Sequence, residues 1–205
     1  MIDQPTLERV LIDIPIGLSS GDFPRTLEKK LRKELSPRGS TVFNPPCQEA
    51  LYQKNQERAK EINTMQEGKS LSMQTLNIMP KIKELDEFVH EHRDIHITES
   101  HPEFCFKYLN HGKVLMSKKS TTEGQMERKN ILANYDPSLI VHGETFIKKT
   151  LRSMVKVDDV WDAACLGLVA KMSLSLGLNY LEDDHQYTKK GIPIRIGYCF
   201  PPTSI

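Results

Sequence analysis

No stretch of the 205-residue chain approaches the length and apolarity of a membrane span, and its start, MIDQPTLERVLID, has no basic run leading into an apolar one. A soluble cytoplasmic protein with no membrane partner is the expectation. Charge of one sign is missing too: 28 Lys and Arg against 27 Asp and Glu leave a formal +1. No global field draws the chain to nucleic acid or an anionic surface, so any such contact has to be a local patch. The four cysteines, Cys47, Cys105, Cys165 and Cys199, stand far apart without a CxxC pair, which argues against a disulfide framework. Neither GxGxxG nor GxxxxGK occurs, which weighs against Rossmann enzymes and P-loop ATPases. Repeats and low-complexity tracts are absent, and the length suits a single domain over 1–205 with its own core.

What is present begins with VLIDIPIGL (10–18), apolar but for Asp13. The β-branched run closed by Pro15 and Gly17 predicts a strand over 10–14. Apolar residues on both of its faces predict cover from both sides, as in a parallel sheet flanked by helices. Asp13 then lies at the carboxyl end of a buried strand. A carboxylate taken out of water needs a pair, a hydrogen bond or a metal. Asp13 therefore either caps the turn into Pro15 or faces a ligand, since open α/β sheets bind ligands just outside the carboxyl ends of their strands.

DIHITES (94–100) alternates and predicts a second strand ending in Glu99. Amphipathic or apolar periodicity predicts helices over 24–35, 47–69, 77–92, 122–134, 137–152 and 157–178, with a short one from Pro102. The helix at 157–178 opens with DDVWDA, where Asp162 can stand beside Asp158 or Asp159. Asp158 and Asp159 also suit the first turn as caps, whereas Asp162 lies deeper. Clustered carboxylates with no basic partner in sequence repel unless a cation holds them, and hard oxygen ligands suit Mg²⁺ or Mn²⁺. Of the clustered histidines, His90, His92 and His96 read as surface, and the spacing of His101 and Cys105 matches no standard zinc module. His101 reads as a partner of Glu99. The basic run from Arg25 to Arg38 reads as a solvated helix face laced with Glu28 and Glu34, or as a track for phosphates.

IDIPIGL, then Arg25 and Glu28, then RGSTVFNPP, SMQTLNIMPKIKELD, ESHPEFCF, SKKSTTEGQMERKNIL and DDVWDA stand in an order that resembles the domain of unknown function 429 family. The likeness covers about residues 10–170. It implies an α/β fold with a ribonuclease H-like sheet flanked by helices, a helical insertion over about 44–92, and a divalent-metal-dependent nuclease or phosphodiesterase. It implies that Asp13, Glu99, Asp159 and Asp162 form the catalytic site, with Asp13, Glu99 and Asp162 on Mg²⁺ or Mn²⁺. Lys81, Lys118, Arg128 and His101 would then meet a nucleic acid or nucleotide substrate. The alternative is a non-catalytic module of that fold which binds nucleic acid or a protein partner, its carboxylates serving as caps.

The chain departs from the family pattern at its start. Members begin with a further strand carrying a GxDG-like motif, whereas nine residues precede the IDIP strand here and nothing around Asp3 reads as a strand. The fold is thus expected to be shortened at its N-terminus. The IDIP strand should pair with the ESHPE strand on one side and be open on the other. Either IPIRIGY (192–198), with its proline at an edge, or a second copy in a homodimer should lie along or near that edge.

Overall fold

The computed structural model describes residues 8–21 and 23–201; Asp3 lies outside the described residues. The chain divides into two compact units, Met1–Glu99 with Tyr180–Ile196, and Ser100–Asn179 with Gly197–Ile205. Among the described residues the strands form two two-stranded sheets in an otherwise helical α/β protein. No helix there is long and apolar enough to cross a membrane.

In the first unit, β1 (Val10–Ile12) pairs in parallel with β2 (Ile97–Glu99), Val10 opposite Ile97 and Ile12 opposite Glu99. This is the expected pairing, but both strands are shorter than their apolar runs. Ile95, 37% exposed, falls in the turn before β2. All of β1 is half-buried and Asp13 is exposed, so the strand is not covered on both faces. The reason is where the apolar residues go. Ile14, Ile16 and Leu18 follow β1 as irregular chain and fill clusters with Leu85, Ile192, Leu51 and Ile82, so the run records packing by a loop as much as by a strand.

The leucines of α1 (Leu27–Glu34) are buried as their spacing of four predicts, with Leu35 just beyond the helix. Pro24 precedes the helix instead of opening it. The helix expected over 47–69 is two pieces, α2 (Gln48–Leu51) and α3 (Gln56–Glu67). The break falls where Asn55 caps the second piece by accepting from the Arg58 amide at 2.8 Å. The next helix, α4 (Met73–Glu91), starts at a Ser72 cap and buries Leu76, Ile82 and Leu85.

IPIRIGY does not run along β1. It is β4 (Pro193–Tyr198), paired with β3 (Asn179–Tyr187), and the Thr188 amide donates to the Ile192 carbonyl at 2.8 Å across the turn. Ile192 packs near β1 all the same, in the cluster that includes Ile12 and Ile14. The sequence hides β3 because its pattern is polar: Asp183 is its single buried residue. That carboxylate accepts from the Thr26 amide at 2.6 Å, at the start of α1.

The second unit is built on α5 (Pro102–Leu109), α6 (Thr122–Tyr135), α7 (Ser138–Lys149) and α8 (Val157–Leu176). Phe104, Phe106, Leu109, Leu132, Trp161, Cys165 and Val169 form its core, and all four cysteines of the chain are buried free thiols. Gly124 sits where any Cβ would overlap the Lys118 carbonyl oxygen, so the turn entering α6 has no room for a side chain. Gly124→Ala should therefore destabilise the protein by about 1–3 kcal/mol through overpacking; urea denaturation matching the parent would refute this.

Candidate functional site

The parallel register pairs Ile12 with Glu99, the last residue of β2, and Asp13 follows β1 as an exposed residue, so the two carboxylates stand at the carboxyl ends of adjacent strands, one buried and one exposed. Glu99 is buried, 7% exposed. One of its oxygens accepts from the Ile16 amide at 2.6 Å and the other from Arg25 Nη2 at 2.7 Å. Arg25 is itself buried, and its remaining donors go to Glu28 at 2.7 Å and to the carbonyls of Ile16 and Gly17 at 2.6 and 2.9 Å. Gly17 has to be glycine: its φ is +77°, and a Cβ would stand 2.9 Å from Ile194.

One cation thus serves two buried carboxylates. Burial pushes the Glu99 carboxyl up to about 7; Arg25 opposes that shift and Glu28 reinforces it. Burial works against the Arg25 charge, but the two carboxylates outweigh it and hold the guanidinium protonated.

A second polar cluster lies wholly within the second unit. Asp162 Oδ2, on α8, accepts from Lys119 Nζ at 2.6 Å, and Asp158, one turn earlier, stands 3.8 Å from the same nitrogen. Asp162 is 7% exposed and its Oδ1 is buried without a partner; burial raises its pKa while Lys119 opposes. His101, at the start of α5, has a buried Nδ1 with no partner. Its pKa is pushed down to about 4 by burial and by the Lys119 charge, so the imidazole is neutral at pH 7. Arg128 bonds the Gly124 carbonyl at 2.9 Å and pairs with Glu103, leaving Nε buried and unpartnered. Unpaired buried polar atoms are rare in native proteins and mark places where water, an ion or a ligand group completes the bonding.

The remaining sequence-predicted residues are on the surface. Asp159 is exposed, and the neighbour of Asp162 on Lys119 is Asp158 instead. Lys118 is exposed, its carbonyl accepting from Thr121. Lys81 is exposed on α4. Sequence reasoning missed the roles of Arg25 and Lys119. For Arg25 the signal was the Arg-x-x-Glu spacing with Glu28. For Lys119 it was only the adjacency of two lysines in SKKS. Also passed over was Gly17-Leu-Ser-Ser-Gly21, which fits the GxSxG letters of serine hydrolases. It lies in irregular chain well before α1 and not at a sharp strand-to-helix turn, so it lacks the context that motif needs.

Among the described residues, no group of three or more His, Cys, Asp or Glu side chains is placed to hold a metal ion. The family described as Protein of unknown function (DUF429) matches residues 2–182, most of the chain. The chain belongs to that family. Its description assigns no activity. No curated protein and no solved structure matches the chain.

Removing the Arg25 guanidinium would strand buried Glu28 and Glu99. Arg25→Met should lose about 3–5 kcal/mol in urea denaturation. Arg25→Lys should not restore it, because one ammonium cannot reach four acceptors spread around a planar fork; recovery in the lysine variant would show that charge alone matters.

The pH dependence separates the two clusters. Glu99 has a higher pKa folded than its ordinary value, so between 4.5 and about 7 the folded state holds more protons and stability falls as pH rises. His101 is shifted the other way, from 6.5 to about 4, so across that window stability rises with pH. Glu99→Gln should therefore show stability rising from pH 4.5 to 6.5, where the parent stays flatter. A variant curve parallel to the parent's would refute the Glu99 shift.

Proposed function

We propose that the chain is a divalent-metal-dependent nuclease or phosphodiesterase of ribonuclease H-like type. The observation that carries this reading is the pairing of β1 with β2, which puts Asp13 and Glu99 at the carboxyl ends of adjacent parallel strands, where open α/β sheets bind ligands. Carboxylate oxygens are the donors Mg²⁺ and Mn²⁺ prefer. Glu99 qualifies only if Arg25 gives way, since both its oxygens are engaged, while Asp162 keeps one oxygen without a partner. The family pattern also gives Asp159 and Asp162, which belong to the second unit, a part in metal binding.

Asp13 and Glu99 would hold the divalent ion, which would supply an activated water and stabilise the leaving oxygen. The chain's own residues do the rest. The exposed ammonium groups of Lys81 and Lys118 take phosphate oxygens of a nucleic acid or nucleotide. Neutral His101 accepts or returns a proton at its unpartnered nitrogen. The homodimer belongs to the same proposal, because among the described residues β1 pairs with β2 on one side only, and an open edge invites a second copy.

A second reading is favoured by one specific observation: Arg25 and Lys119 already neutralise Glu99 and Asp162. On that reading the fold is a non-catalytic module that binds nucleic acid or a protein, with the carboxylates as structural pairs.

Mn²⁺ calorimetry, read together with cleavage of a labelled oligonucleotide, decides between them. The catalytic reading expects one saturable site and metal-dependent cleavage, with Asp13→Asn weakening Mn²⁺ binding at least tenfold while circular dichroism stays unchanged. Asp159→Asn and Asp162→Asn report in the same titration whether those carboxylates contribute. Equal Mn²⁺ affinity in Asp13→Asn and parent would overturn the reading.

A further inference from the structure

A pocket of about 220 Å³ opens in the first unit between α1, the chain at 44–45 and the connection from α3 to α4. Its lining is strongly cationic. Lys29 and Arg32, three residues apart, share one side of α1, and Lys69 faces them from the α3–α4 connection. Arg25 also lines the pocket, but its charge is committed to Glu28 and Glu99.

The other three cations have no such commitment. Arg32 donates Nη2 to two neutral acceptors, the Val42 carbonyl at 2.8 Å and Asn44 Oδ1 at 2.6 Å. Lys29 and Lys69 have no carboxylate partner among the described residues, whereas nearby Lys30 and Lys60 pair with Asp184 and Glu57. Outside the Arg25 network the lining holds one carboxylate, Glu67, so the pocket keeps an excess of two positive charges. Like charges gathered in a concave site repel one another unless an anion is shared between them. Neutral donors are at hand as well. Asn44 turns its oxygen to Arg32, which leaves its amide N–H groups to donate, and the Ser70 hydroxyl lines the same space.

We infer that this pocket binds a phosphate dianion, either free or as the terminal group of a small phosphomonoester. Arg32 offers a planar fork and the lysines offer point charges, the combination that phosphate oxygens favour. The volume limits the ligand. Sites for drug-sized molecules run from about 300 to 1,000 Å³, so 220 Å³ suits a phosphate with a small substituent. The inference does not need the nuclease reading: no carboxylate of the proposed metal site lines the pocket, and binding is measured without divalent ions.

The test is calorimetric titration of the full chain with inorganic phosphate, with ribose 5-phosphate and with ribose, in buffer containing a chelator. Inorganic phosphate should bind once and saturably at pH 7.5, where the dianion is the main form, and more weakly at pH 5.5, where the ion is almost wholly the monoanion; the ester, with a second pKa of about 6, should lose less over the same range. Tighter binding of ribose 5-phosphate than of inorganic phosphate marks a phosphomonoester site, and the reverse order marks a site for the free ion. Ribose should not bind.

Lys29→Ala/Lys69→Ala, which removes two exposed side chains, should weaken phosphate binding at least tenfold, as should Arg32→Gln. Lys148→Ala/Lys149→Ala, which removes the same charge from the exposed end of α7, should leave binding unchanged. No saturable binding, or equal weakening in the two double variants, would overturn the inference. Loss of Mn²⁺ binding with phosphate binding intact would count against the nuclease reading alone.

Discussion

The first unit depends on one guanidinium. Arg25 ties the loop after β1 to the end of β2 by bonding two loop carbonyls and the carboxylate that closes β2, and it anchors α1 through Glu28. Two three-residue strands cannot hold a sheet by backbone pairing alone. The buried fork supplies the missing directional bonds, and the Ile16 amide completes them from the same loop. A buried ion pair seldom adds much net stability, because desolvation offsets the attraction, but breaking one is severe. Arg25 thus acts more as a specifier of loop position than as a source of stability.

That arrangement answers why the sequence around β1 looks the way it does. The apolar run from Val10 to Leu18 reads as one buried strand, yet only its first three residues enter the ladder. The rest bends around Gly17 so that backbone groups of Ile16 and Gly17 meet Glu99 and Arg25. Hydrophobic periodicity reports which residues are buried. It carries no information about which backbone groups are satisfied by side chains far along the chain.

The helices were legible for the same reason that β3 was not. The leucines of α1, the Pro102 start of α5 and the long apolar run of α8 all state their environment locally. β3 has polar residues on both faces and one buried member, Asp183, whose role is to meet an amide at residue 26. Among the candidate residues, Glu99 and Asp162 announced themselves as acids at a strand end and in an apolar helix. Their neutralising partners did not, because Arg25 lies 74 residues from Glu99 and Lys119 lies 43 from Asp162. The neighbour of Asp162 was settled by which way one lysine points: spacing allowed Asp158 or Asp159, and Lys119 reaches Asp158.

The order in which the chain leaves the ribosome acquires meaning from the discontinuity of the first unit. Its opening 99 residues are separated from their completing segment, residues 180–196, by the uninterrupted stretch that makes most of the second unit. Synthesis at about 5–20 residues per second therefore keeps the start of α1 waiting for roughly 8–30 seconds before Asp183 exists to accept from the Thr26 amide. During that interval the helices of the second unit have all of their own sequence through α8 available. The later part of the chain can fold first, and the earlier part must remain competent until the hairpin arrives.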